Sequence, residues 1–120
     1  MEKSFPATDA GLMACQEFLS SICESPRPQI IMDEIVSNIV RCSGAVTFSV
    51  DIDLAADGAL TMVFKDSGRP FDPTKTEDPD VTAPLAEREI GGLGLFMVRK
   101  MSKSVAYEYK DGVNTLTVVS

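Results

Sequence analysis

Hydrophobic and polar positions follow two different periods along this 120-residue chain, and the switches between them mark out its elements. Ser4-Phe5-Pro6 reads as a short edge strand. Thr8 has the type and position of an N-cap for a helix over about 9–23, where Leu12, Cys15, Phe18, Leu19, Ile22 and Cys23 recur at the three- and four-residue spacing of one apolar face. Pro26 and Pro28 are predicted to end that helix and separate it from the next, because proline cannot donate a helical hydrogen bond. A second helix is predicted over about 28–42, with Ile31, Met32, Ile35, Val36, Ile39 and Val40 as a wide apolar face and Asp33, Ser37 and Arg41 turned to water. Glu34 and Asn38 are four residues apart, so they stack on the seam between those two faces, where a side chain can reach the edge of a cleft.

The period then shortens to two. Val46, Phe48, Val50, Ile52 and Leu54 alternate with Thr47, Ser49, Asp51 and Asp53, the pattern of a half-buried strand. Asp57-Gly58 is a hairpin signal, and Leu60, Met62 and Phe64 alternate again through about 59–65, so the two strands should pair antiparallel. Residues 66–90 hold four prolines and seven acidic side chains and fit neither period, which predicts a long functional or mobile loop. Glycines at 91, 92 and 94 open a second helical pattern with Leu93, Met97, Val98 and Met101 on one side and Phe96 between Arg99 and Lys100. Strands are predicted over 104–109 and 114–119 around an Asp111-Gly112 turn, with Leu116 and Val118 alternating with Thr115 and Thr117. The order helix, helix, hairpin, loop, helix, hairpin predicts an α+β fold: a two-layer α/β sandwich whose mainly antiparallel sheet has helices on one face.

Size and composition narrow the function. A chain this short has room for a single domain, spanning 1–120, with one real core. The absence of histidine excludes a Ser-His-Asp or Cys-His nucleophile pair, a His-ligated metal and a phosphohistidine. Eleven basic and 18 acidic side chains give a net charge of −7, which argues against nucleic-acid binding through a basic face. No apolar run approaches a membrane span, and the first 30 residues lack a basic start followed by an apolar block, so neither membrane insertion nor a signal peptide is expected. Cys15, Cys23 and Cys42 form no paired motif and read as buried thiols of a reducing cytosol, which predicts a cytoplasmic location.

Three short segments carry candidate chemistry. In Glu34-Ile-Val-Ser-Asn38, the amide oxygen suits Mg²⁺, a hard cation, and the carboxylate can accept a proton from an attacking hydroxyl. In Asp66-Ser-Gly68-Arg-Pro70-Phe71-Asp72, an acidic residue directly after a strand can accept a hydrogen bond from an exocyclic amine, and Gly68 lets the backbone turn close to a ligand. In Gly91-Gly92-Leu93-Gly94-Leu95, backbone N–H groups at a helix start can cradle phosphates. A Rossmann reading of these glycines fails, because they follow a long loop and not a strand, and no P-loop motif is present.

Taken in order, these segments resemble the N box and two glycine boxes of the GHKL (Bergerat-fold) ATPase and kinase superfamily, which contains the histidine kinase-like ATP-binding domains. The short length and the sequences around Asp66–Pro73 and Gly91–Met101 look like those of the anti-sigma factor serine/threonine kinases. The resemblance covers about 28–119 and implies the following roles. Asn38 would ligate Mg²⁺ bridging the phosphates of ATP, and Glu34 would be the catalytic base. Asp66 would bind the adenine amino group, Gly68 would let adenine approach, and Pro70 and Phe71 would continue that wall. Gly91, Gly92, Leu93, Gly94 and Leu95 would line the phosphates, with 72–90 as a lid and Arg88 near the γ-phosphate. Thr115 would back the adenine pocket. The implied acceptor is a serine on a STAS-type anti-anti-sigma protein that competes with a sigma factor, and family members tend to form homodimers. Cys42 and Ile90 stand where the family often has a histidine and a basic residue. Two other functions compete with this one: a nucleotide-gated sequestering module without kinase turnover, and a detached ATPase domain of a histidine kinase.

Overall fold

The computed structural model describes residues 1–70 and 98–120, apart from the side chain of Cys42. Strand β1 (Glu2–Pro6) leads into helix α1 (Asp9–Ile22), and helix α2 (Pro26–Asn38) continues without a break into a single turn of π-helix, Ile39–Ser43. Strands β2 (Thr47–Leu54) and β3 (Leu60–Asp66) follow as a hairpin, and β4 (Ser104–Lys110) and β5 (Val113–Val119) form a second hairpin. The five strands make one sheet in the order β1-β2-β3-β5-β4, and every neighbouring pair is antiparallel. The architecture is the α+β sandwich that the alternation of periods predicts, with β3 as the central strand.

Each helix start has a local cause. Thr8 Oγ1 accepts the Gly11 N–H at 3.2 Å, the capping bond expected of a threonine at that position. Pro26 and Pro28 do not merely end α1. They occupy the first turn of α2, where backbone N–H groups have no helical partner and a missing donor costs nothing. The second helix therefore begins two residues earlier than its sequence pattern predicts. Its later part changes to π-helical geometry after Asn38 and ends at Gly44, whose φ of 75° is the left-handed conformation that glycine adopts without strain.

The core lies between the helices and one face of the sheet. Cys15 and Leu19 of α1, and Ile31, Met32, Ile35, Val36 and Ile39 of the second helical run, meet Phe48, Val50, Ile52, Leu60, Met62, Phe64, Leu116 and Val118. Burying each of the larger side chains contributes roughly 1.5–3 kcal/mol. Phe5 extends the core to the β1 edge, with its ring 5.6 Å from Phe48 and 5.9 Å from Phe18. The alternation overreaches at its ends. Val46 is 83% exposed and precedes the strand, and Leu54, its last residue, is 51% exposed. Asp33 does not point freely into water: it accepts a hydrogen bond from Gln16 Nε2 at 3.0 Å and helps tie α2 to α1.

Val98 is buried in the core, and the helical turn over 98–101 leads through Ser102 and Lys103 into β4. The chain between Asp66 and Ser104 thus passes from the central strand to the far edge of the sheet, with β5 between them. The predicted lid over 72–90, and Phe96 with its expected partner-facing position, lie outside the described residues. Among the described residues, no helix is long and apolar enough to cross a membrane.

Cys15 and Cys23 carry free thiols, the first buried and the second half-buried. Burial, with a smaller contribution from the Asp33 carboxylate, pushes the Cys15 thiol from 9.0 up to about 12. The folded state therefore holds a proton that the unfolded chain releases first, so this contribution to stability is complete below pH 9 and is lost as pH rises towards 12. The native protein should leave Cys15 unmodified by a thiol reagent at pH 8 over a time in which the urea-unfolded chain reacts fully. Its denaturation midpoint should fall between pH 9 and 12 more steeply than that of a Cys15→Ala variant.

Candidate nucleotide site

Asp66 is the last residue of the central strand, and it points to the helix-covered side of the sheet. Its neighbours across the sheet are Phe48 on β2 and Asn114 on β5. Asp66 is 9% exposed and Asn114 6%, which makes them two of the few buried polar side chains among the described residues. A buried carboxylate needs hydrogen-bond donors. Asp66 Oδ1 receives two, from the backbone N–H of Gly68 at 2.9 Å and from Asn114 Nδ2 at 3.2 Å. Among the described residues, no donor reaches its second oxygen, Oδ2. That oxygen can take an N–H from a ligand.

The loop that follows Asp66 is fixed from two sides. Asn114 Nδ2 also donates to the carbonyl of Arg69 at 2.8 Å and to that of Gly68 at 3.4 Å. From the other side, Arg69 N–H donates to the carbonyl of Ser43 at 2.8 Å. Gly68 lies so near Ser43 that a Cβ on it would stand 2.3 Å from the Ser43 carbonyl oxygen. The close approach that Gly68 allows in this structure is to the end of the second helical run. Pro70 is exposed just beyond it.

This contact fixes the end of the second helical run, just after Asn38, against the Asp66 end of the sheet, with Glu34 further back along the helix. Ser43, which touches Gly68, is one π-helical turn after Asn38, and Glu34 is one α-helical turn before Asn38. Both side chains are half-buried on the seam of the helix, as their spacing predicts. Among the described residues, no hydrogen bond engages either of them. The carboxylate and the amide are therefore available to a ligand.

Thr115 is not part of this group. It stands opposite Lys65 in the β3–β5 ladder, one residue out of phase with the Asp66–Asn114 pair, so its side chain lies on the outer face of the sheet. The alternation of Thr115 and Thr117 with Leu116 and Val118 carries this information, since residues in phase with the core leucine and valine share their face. Asn114 is the residue that backs Asp66, and the Tyr107 hydroxyl donates to its Oδ1. Sequence reasoning missed both. The available signal was an asparagine in phase with Leu116 and Val118, a polar group on an apolar face that must find partners there. Phe71, Arg88, Gly91, Gly92, Leu93, Gly94 and Leu95 lie outside the described residues.

A helix-on-sheet sandwich with a buried carboxylate on its central strand and a helix seam carrying Glu and Asn fits the GHKL type of nucleotide-binding fold. Residues 8–120 match the family described as the histidine kinase-like ATPase domain, and the chain belongs to that family. The chain is also similar to the serine/threonine-protein kinase BtrW of Bordetella bronchiseptica, with 34% identity over 91 residues. The matched region is 73% of this chain and 64% of that protein, so the chain spans less than two-thirds of its relative's length.

Replacing Gly68 tests the fixed loop. Gly68→Ala should lower the unfolding free energy by about 1–3 kcal/mol without any nucleotide present, because the added methyl meets a backbone carbonyl that cannot easily move. Urea denaturation of the purified variant would measure it.

Proposed function

We propose that this chain is an ATP-dependent serine/threonine protein kinase of the anti-sigma factor type. It would transfer the γ-phosphate of ATP to a serine of a STAS-type anti-anti-sigma protein and so regulate a sigma factor. The observation that carries this reading is the buried Asp66, with one oxygen held by Gly68 and Asn114 and the other met by no described donor. An acceptor held in this way suits the 6-amino group of adenine. The name of the similar Bordetella protein supports the kinase assignment.

The described residues fit such a ligand at its base end and beside its phosphates. Asp66 Oδ2 would accept the adenine amino N–H, in a site dried by Phe48. A single amide oxygen, from Asn38, is too little to cage a resident metal ion but suits one that arrives with phosphate oxygens and water. Mg²⁺ bound there would supply neutralising charge for the phosphates. The glycines 91, 92 and 94 would complete the phosphate end. Glu34 would take the proton of the attacking serine hydroxyl, the role its seam position allows. With a net charge of −7, the protein's overall field does not attract ATP, so affinity has to come from these local groups.

The reading is tested by separating binding from transfer. Asp66→Asn should weaken ATP binding by about 10–100-fold, the worth of a hydrogen bond to a charged acceptor, with the melting temperature largely retained. Glu34→Gln should keep ATP affinity but lower phosphate transfer by about 10²–10⁴-fold. Asn38→Ala should remove the Mg²⁺ dependence of binding. The assay is incubation with γ-labelled ATP and the STAS-domain proteins of the same organism, with the label recovered on a serine. If Glu34→Gln leaves regulation intact, the protein acts by nucleotide-gated sequestration and not as a kinase.

A further inference from the structure

We propose that Tyr107 and Asn114 form a positioning relay that aims Asp66 at the 6-amino group of the bound purine. This rests on the reading of Asp66 as the base-recognising carboxylate, and it adds two residues that the sequence motifs do not contain.

The relay begins on the edge strand. Tyr107 stands opposite Leu116 in the β4–β5 ladder, which makes Asn114 its diagonal neighbour on the same face. Its ring packs against the core, and its hydroxyl donates to Asn114 Oδ1. A primary amide has an acceptor on one side and two donors on the other. With Oδ1 turned to Tyr107, the NH₂ faces three acceptors: Arg69 O at 2.8 Å, Asp66 Oδ1 at 3.2 Å and Gly68 O at 3.4 Å. A flipped amide would set its oxygen against all three. The three acceptors thus fix a single orientation of the amide, and the hydroxyl, which can donate or accept, donates to the oxygen that this orientation presents.

That orientation decides how Asp66 is presented. Two N–H groups converge on Oδ1, from Gly68 and from Asn114, and turn the carboxylate so that Oδ2 faces away from the network. A carboxylate free to rotate about its terminal bond spends part of its time misaligned, since that torsion is soft. The relay removes this freedom. The same NH₂ also holds two carbonyls of the loop after β3, so Asp66 and its loop are positioned as one unit. Tyr107 and Asn114 touch no substrate in this scheme and act through Asp66.

The experiment compares ATP with purine riboside triphosphate, the same molecule without the 6-amino group, so the ratio of their affinities reports this one contact. Calorimetry on the full chain would give both affinities for the wild type and for Tyr107→Phe, Asn114→Ala and Asp66→Asn. Tyr107→Phe keeps the packed ring and removes only the hydroxyl. It should weaken ATP about five-fold, the equivalent of one ordinary hydrogen bond, and leave purine riboside triphosphate nearly unchanged, so the ratio narrows. Asn114→Ala should narrow it further. If that variant does not fold, Tyr107→Phe alone decides. A purely structural role would weaken both ligands equally and lower the melting temperature. An unchanged ratio in Tyr107→Phe, with the ratio lost in Asp66→Asn, would overturn the relay and leave the reading of Asp66 standing. An unchanged ratio in Asp66→Asn would overturn that reading, and the relay with it.

Discussion

The backbone of Ser43 and the loop at Gly68 approach so closely that no side chain fits between them, and the rest of the site depends on this contact. It closes the end of the second helical run onto the end of the central strand, through a hydrogen bond from Arg69 N–H to the Ser43 carbonyl. The π turn over Ile39–Ser43 is what delivers that carbonyl. A π turn changes the helical phase, and such turns recur at functional sites. Here it lets one run bury Ile35, Val36 and Ile39 in the core and still end against the strand. The part of the run just after Asn38 is carried to the Asp66 end of the sheet by this closure.

The sheet divides its work by face. Residues in phase with Phe64 and Leu116 belong to the core along most of the strand length, and only at the open end does the same phase carry polar groups, Asp66 and Asn114. Polar side chains in that position are costly unless each finds a partner. They find one another, the loop carbonyls and the Tyr107 hydroxyl. The network satisfies the buried groups while leaving Asp66 Oδ2 without a described donor. On the proposed reading, that oxygen is the one to which the ligand donates.

Much of this was legible from the chain. The period-two segments marked β2, β3 and β5, Thr8 marked the start of α1, and Asp57-Gly58 and Asp111-Gly112 marked the two hairpin turns. The last turn shows why, since both Asp111 and Gly112 take positive φ, a conformation open to few residue types. Glu34, Asn38, Asp66 and Gly68 stand out as candidate site residues only as an ordered set that resembles the boxes of the GHKL superfamily, since each short pattern alone is common. What escaped depends on three-dimensional closure. Prolines mark a helix start or an end depending on context, so Pro26 and Pro28 separate the two helices as expected but also supply the first turn of α2, which the pattern starts two residues too late. The switch from α to π geometry has no local signature in Ile39–Ser43. Thr115 was chosen by resemblance against its own alternation, and that alternation places Asn114 on the inner face instead. Tyr107 becomes visible only once the β4–β5 register is known, because its hydroxyl reaches diagonally across the ladder.

The central claim is that the ligand's base meets the inner end of β3 and β5, at Asp66, and not the outer face of the sheet. Two-dimensional ¹⁵N NMR during a titration with ATP and Mg²⁺ tests it most directly. The Gly68 amide and the side-chain NH₂ of Asn114 should shift together and saturate with one affinity, while the amides of Ser49, Val63 and Thr117 stay in place. Shifts centred on Val63 and Thr117, with Gly68 and Asn114 unmoved, would contradict it.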